Sequence, residues 1–251
     1  MTRNDKIRGS MKFTSGEVAI VTGASRGIGR ATAVELAKEG CRVVINYKSN
    51  TSEAEKTLAL IGKENGIIIK ADITDENEVK RLIDETVQTY GRIDILINNA
   101  GEIIRPGDWT TDMETWQATL DANLTSSWLM IREVAPIMKK ARKGSIVNLT
   151  STVGMLGVPF VMPYSAAKSG ILAVTKGMAK MLAPTIRVNG VAPSNVMTDM
   201  MISAGEDVKN RMIAGTPLGK IAEPDELAKP IVFLSSDDAS YITGHILVVD
   251  G

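Results

Sequence analysis

Three residues of this 251-residue chain carry a phenol, an amine and a hydroxyl in an order that can move a proton to a carbonyl oxygen. Tyr164 and Lys168 stand four apart in a stretch of helical period, which puts both on one face. An unperturbed phenol titrates near ~10 and is a poor base at neutral pH. A neighbouring ammonium favours the phenolate, so Lys168 is expected to lower the pKa of Tyr164 toward the range of a general acid/base. Ser151 closes a candidate strand upstream, and its hydroxyl can hold the same carbonyl oxygen. A Y-x-x-x-K pair alone occurs by chance in many helices; the added serine gives it meaning. The chemistry is transfer of a proton to a ketone oxygen as hydride reaches the carbon, or the reverse from an alcohol.

Hydride needs a donor, and the first candidate strand runs into Thr22-Gly23-Ala24-Ser25-Arg26-Gly27-Ile28-Gly29 before a helix. Glycines there let the chain turn sharply and bring backbone N–H groups to a pyrophosphate at the helix N-terminus. The spacing is G-x-x-x-G-x-G rather than the generic G-x-G-x-x-G, so placement after a strand carries the inference. An acid about 20 residues on would hold the ribose 2′-hydroxyl of NAD. This chain instead has Asn46-Tyr47-Lys48-Ser49 there, with Arg26 in the turn. Two cations suit a 2′-phosphate, so NADP is expected over NAD. Asp72 and Ile73 follow the third candidate strand, where the carboxylate could meet an adenine amino group or simply cap a helix. Asn98-Asn99-Ala100-Gly101 closes the fourth strand; it suits close approach of a cofactor and also suits a plain turn.

Positioning these residues requires strands alternating with helices. Candidate strands are 18–22, 42–46, 67–71, 93–98, 145–150, 187–192 and 246–249, and they are apolar nearly throughout, as in a parallel sheet covered on both faces. Helical periodicity covers 27–39, 52–64, 75–90, 112–140, 163–182 and 224–235. The long fourth segment shows one face through Trp116, Leu120, Leu124, Trp128, Ile131, Ala135 and Met138. Asp75 before Glu78 has the form of a capping box, and Gly91 stands where that helix should stop. The pattern predicts an α/β fold: a single-domain, Rossmann-type doubly wound parallel sheet of about seven strands. Residues 194–220 resist assignment and read as a mobile lid. Residues 1–12 read as an N-terminal extension or an expression remnant, with residues 13–251 as the domain.

Composition removes other classes. The 29 basic and 29 acidic residues balance, which leaves no electrostatic footprint for nucleic acid. One Cys and one His supply neither a disulfide nor a metal site, and the single Cys fits a cytoplasmic setting. No apolar run approaches the roughly 20 residues of a spanning helix, so no membrane partner is expected.

Taken together, Thr22–Gly29, Asp72, Asn98–Gly101, Asn123, Ser151, Tyr164/Lys168 and Pro193 resemble the motifs of the short-chain dehydrogenase/reductase family in order and spacing, from about Glu17 to Gly251. The resemblance implies Tyr164 as general acid/base, Lys168 on the nicotinamide ribose, Ser151 on the carbonyl and Asn123 in a water-linked proton relay. It also implies Asn99, Ala100 and Gly101 along the cofactor, Asp72 at adenine, and Pro193, Ser194, Val196 and Thr198 near the nicotinamide carboxamide and phosphates. It implies no catalytic metal. The family usually has glycine where this chain has Ser194; glycine tolerates positive φ and close approach of the nicotinamide, and the added Cβ could shift the ring, narrow the pocket or add a hydrogen bond. The overall look is nearest to 3-oxoacyl-[acyl-carrier-protein] reductases, with sugar and polyol dehydrogenases beside them. A catalytically silent NADP-binding regulator is the alternative from another class, and the intact trio weighs against it. The substrate would be a small carbonyl or alcohol, or an acyl-carrier-protein thioester; the basic run Lys139–Lys143 reads either as a contact for that acidic carrier or, as such runs more often are, as a solvated helix end. The resemblance further implies a homotetramer packed through the 112–140 and 163–182 helices, with Trp116, Trp128, Met178 and Met181 as contributors or as ordinary core. Specificity is expected from residues 102–109 and 194–220.

Overall fold

The structure is a computed structural model that describes residues 11, 13–14, 16–104, 107–203 and 205–251. Most of the expected N-terminal extension lies outside the described residues; Met11 and Phe13 pack against the core.

Seven strands form one parallel sheet: β1 (Val18–Val21), β2 (Arg42–Tyr47), β3 (Gly66–Lys70), β4 (Ile95–Asn98), β5 (Gly144–Leu149), β6 (Ile186–Pro193) and β7 (Ile246–Val249). Their order across the sheet is β3-β2-β1-β4-β5-β6-β7. The apolar runs now have a residue-by-residue reason. Val18 and Ile20 of β1 face one core cluster, while Ala19 and Val21 face the other. Leu96 and the pair Ile95/Ile97 divide in the same way in β4. Helices cover both faces. On one lie α1 (Gly27–Lys38), α2 (Thr51–Ile61) and α10 (Pro224–Ser235); on the other lie α3 (Glu76–Tyr90), α5 (Ser126–Ala141) and α7 (Met162–Leu182). Because β1 pairs with both β2 and β4, the chain reverses its winding there, and a crevice opens beyond the carboxyl ends of the strands.

The helix signals in the sequence are partly realised. Asp75 caps α3 by accepting from the N–H groups of Asn77 and Glu78 at 2.8 and 3.0 Å, and Gly91 closes it in the left-handed region. The capping box is only half made, because Glu78 turns to the N–H of Asp72 at 2.7 Å. The expected 112–140 helix is interrupted: α4 (Met113–Leu120) passes into a π-helical turn over Asp121–Thr125 before α5. Residues 194–220 are not unstructured, for they hold α8 (Asp199–Ile202) and α9 (Glu206–Ala214), and α6 (Thr152–Leu156) follows Ser151. No described helix is long and apolar enough to cross a membrane.

Two surface expectations that stood open can be placed in the fold. The run Lys139–Lys143 ends α5 and immediately precedes β5, so it lies at the amino ends of the strands, opposite the crevice. Lys143 there bridges Glu17 and Asp237 at 2.9 and 3.1 Å. Met178 belongs to the core, whereas Trp128 and Met181 stay exposed.

Candidate active site

The nucleotide side of the crevice is built around the turn after β1. Gly23 and Gly27 take φ of 60° and 55°, a region that disfavours side chains. A Cβ on Gly29 would stand 2.5 Å from both Asn99 Nδ2 and the Gly23 carbonyl, so the start of α1 can pack only as glycine. Asn99 donates through Nδ2 to the Thr22 and Gly23 carbonyls, and Thr22 Oγ1 accepts from the N–H groups of Asn99 and Ala100, both at 3.0 Å. Asn46 is buried; its Oδ1 accepts from Gly23 N–H and its Nδ2 donates to the Ala71 carbonyl at 3.1 Å. Both amides therefore brace the turn.

Tyr47 and Ile73 are buried at the ends of β2 and β3, while Lys48 and Ser49 are exposed. Lys48 Nζ sits 2.8 Å from Asp72 Oδ2, and that hydrogen bond holds its ammonium above the usual lysine range. Asp72 is partly buried, which pushes its pKa up, but bonds from Lys48 and Thr74 outweigh this and leave it lowered. Arg26, exposed at the cap position of α1, pairs with Asp199 at 3.0 Å. Both cations expected to choose the cofactor thus already hold a carboxylate.

This turn suits a dinucleotide. No side chain caps α1 and its first turn has no acid, so its N–H groups and positive dipole end are left to an anion. Next to them, the place where a Gly27 Cβ would stand meets only the Thr198 methyl, at 3.5 Å.

The reaction side lies across β4 and β5. Ser151 caps α6, its Oγ accepting from Val153 N–H at 3.2 Å and reaching the Pro193 carbonyl at 3.4 Å. Tyr164 lies in the first turn of α7, where the Ser151 hydroxyl acts on its phenol. Lys168, one turn on, is buried, donates to the Leu149 carbonyl at 2.9 Å and lies 5.5 Å from the Tyr164 ring centre. Asn123 lies in the π turn, where the widened helix presents its amide to Glu102: Nδ2 donates to the Glu102 carbonyl at 2.8 Å and Oδ1 accepts from its N–H at 3.1 Å. Gly101 lies between the two, since a Cβ there would stand 2.5 Å from Asn123 Oδ1 and 3.1 Å from Lys168 Nζ. Ser151, Tyr164, Lys168, Asn123 and Gly101 are therefore brought together as expected.

Electrostatics overturns one expectation. Burial pushes the Tyr164 phenol up to about 12, with the Ser151 hydrogen bond pulling the other way. Burial also lowers the Lys168 ammonium to about 8. The amine points at the Leu149 carbonyl, and desolvation sets the direction of the phenol's shift. A neutral phenol is the form that donates a proton.

Arg142 is the only non-glycine with positive φ among the described residues, so Ser194 carries no backbone strain. Its N–H reaches the Val249 carbonyl at 3.4 Å, and with Thr152, Asn195 and Arg211 it lines a groove beside Ser151. Val196 is buried and bridges to Ala222, while Thr198 precedes α8.

Sequence reasoning missed Arg30, which fastens the turn from behind through the Ser25 carbonyl, Thr57 Oγ1 and Glu53. It also missed the buried chain Asn98–Asn148–Thr175, with links of 2.9 Å, which ties β4 and β5 to α7. Their partners are distant in sequence, and no local pattern marks them.

Comparison with known proteins agrees with this geometry. The family described as Enoyl-(Acyl carrier protein) reductase matches residues 23–251. A 3-oxoacyl-[acyl-carrier-protein] reductase from Synechocystis sp. is 41% identical over 96% of this chain and 98% of its own. The 3-oxoacyl-[acyl-carrier-protein] reductase FabG of Thermotoga maritima is 39% identical over 94% and 97%. A solved structure described as a short-chain alcohol dehydrogenase from Sinorhizobium meliloti 1021 superposes with a TM-score of 0.89 at 35% identity, covering 95% of this chain and 96% of that one. With its parallel sheet, its glycine turn and the Ser151–Tyr164–Lys168 cluster, the chain belongs to the short-chain dehydrogenase/reductase family.

Proposed function

We propose that the protein reduces the ketone of a 3-oxoacyl thioester to the secondary alcohol with NADPH, the thioester being borne by an acyl carrier protein. The observation that carries this reading is the convergence of the Ser151 and Tyr164 hydroxyls beside the buried amine of Lys168. Two hydroxyls converging on one point suit a carbonyl oxygen. A bound dihydronicotinamide supplies the hydride to the carbonyl carbon. Tyr164 then gives its phenolic proton to the oxygen, which completes the alcohol, while Ser151 holds that oxygen in place. Lys168 binds the nicotinamide ribose and, with its amine 5.5 Å from the Tyr164 ring centre, places a charge beside the reacting oxygen while it is protonated. Asn123 keeps Glu102 and Gly101 in register with Lys168 and supports return of a proton from water.

The pyrophosphate lies against Gly23, Ser25, Gly27, Ile28 and Gly29, Asp72 and Ile73 meet the adenine, and Arg26 and Lys48 take the 2′-phosphate, which favours NADP. Tyr47, Ser49, Pro193, Val196 and Thr198 complete the walls. The uncapped start of α1 supports this assignment. The names of the relatives support the acyl thioester over a sugar or polyol. A cytoplasmic homotetramer is the form we infer, and exposed Trp128 on α5 and Met181 on α7 support the assembly.

The test is consumption of NADPH with a 3-oxoacyl thioester and, separately, a 2-enoyl thioester. We expect turnover of the oxo substrate. Turnover of the enoyl substrate alone would place the protein with the carbon–carbon double-bond reducers, and turnover of neither would favour a silent regulator.

A further inference from the structure

The segment between β6 and α10 crosses back over the glycine turn at one place. Thr198 lies against Gly27, and Asp199, the first residue of α8, reaches Arg26. The contact is single: Arg26 Nη1 to Asp199 Oδ2 at 3.0 Å, with both side chains more than half exposed. Further along the excursion α9 buries no residue. We propose that Asp199 is a specificity-determining residue for the cofactor, its carboxylate competing with the 2′-phosphate of NADPH for Arg26. The proposal rests on the reading of Arg26 as a phosphate-binding residue.

The physical case is one of exchange. An exposed, singly bonded ion pair is weak and easily broken. A phosphate dianion offers three acceptor oxygens and can engage the guanidinium at two nitrogens, so it displaces a carboxylate that uses one. Asp199 then stays beside the dianion as a like charge, which opposes the phosphate. NADH carries a hydroxyl in that place, needs no exchange and meets no repulsion. The Lys48–Asp72 pair differs, because Thr74 also holds Asp72 through its N–H at 3.1 Å and its hydroxyl at 2.8 Å. Asp199 is thus the carboxylate free to yield.

The test is direct titration of NADPH and NADH, read by nicotinamide fluorescence, against the unaltered protein, Asp199→Asn, Asp199→Glu, Arg26→Ala and the double variant Arg26→Ala/Asp199→Asn. Removing the carboxylate is expected to tighten NADPH about threefold to fivefold, the range of one exposed ion pair, and to leave NADH unchanged. Asp199→Glu keeps the charge and should bind both cofactors as the unaltered protein does. Arg26→Ala should weaken NADPH selectively, and in its background Asp199→Asn should no longer tighten it. Unchanged or weaker NADPH binding in Asp199→Asn, or an equal shift for both cofactors, would overturn the competition while leaving the NADPH reading intact. An Arg26→Ala variant with an unaltered NADPH-to-NADH ratio would overturn both.

Discussion

The two sides of the crevice use polar groups in opposite ways. On the nucleotide side nearly every polar side chain is satisfied within the protein: Asn46 and Asn99 clasp the glycine turn, Thr22 joins it to β4, and Lys48 and Arg26 hold carboxylates. On the reaction side Tyr164 and Lys168 carry ionisable groups, and burial pushes the first up and the second down. The difference teaches where rigidity and reactivity reside. A frame that must present backbone N–H groups is made stiff by internal bonds, whereas groups that must exchange a proton are kept short of solvent.

Breaking the reactive side should have the largest effect. Lys168→Met is expected to lower kcat/KM for ketone reduction on the order of a hundredfold, measured under saturating NADPH. The pH profile sharpens this. With the Lys168 pKa lowered to about 8, kcat/KM should fall as pH rises through about 8, and the methionine variant should lose that limb. The linked stability has the opposite slope. Between about 8 and the ordinary lysine value of 10.5 the unfolded chain holds a proton that the folded protein lacks. Stability relative to Lys168→Met therefore rises across that window, measurable by urea unfolding at several pH values, and the gain is lost as pH falls through 8.

A break in the frame should act on binding before chemistry. Gly29→Val places a side chain where Asn99 and the Gly23 carbonyl stand, so NADPH affinity should drop by roughly tenfold or more, as about 1.4 kcal/mol accounts for each factor of ten. The smallest effect is expected at Asn46→Ala. It removes two bonds from a buried strap and should cost about 1–3 kcal/mol, seen as a drop in Tm of a few degrees, with kcat nearly unchanged. A large loss of kcat there would show that frame and chemistry are not separable.

Much of this was legible because it is local. Apolar strands, the Asp75 and Gly91 helix limits, the glycine turn and the i, i+4 spacing of Tyr164 and Lys168 are written in neighbouring residues. What escaped depends on distance or burial. The π turn around Asn123 keeps the helical period on either side and so leaves no break in the pattern. Asn46 and Asn99 look like ligand-facing amides until the Ala71 and Thr22 carbonyls are placed beside them. The sign of the Tyr164 shift turns on desolvation, which residue spacing does not report. Met178 and Trp128 share an apolar character, and only the packing of α5 and α7 puts one inside and the other outside.

The central claim, that Tyr164 supplies the proton while the nucleotide side binds independently, is tested most directly by one pair of single-turnover reactions. NADPH is bound to saturation in the unaltered protein and in Tyr164→Phe, and each is mixed with a 3-oxoacyl thioester. The account predicts equal NADPH affinity and a rate of nicotinamide oxidation lower in the variant by a factor on the order of a thousand. A variant that oxidises NADPH within a few fold of the unaltered rate would contradict it.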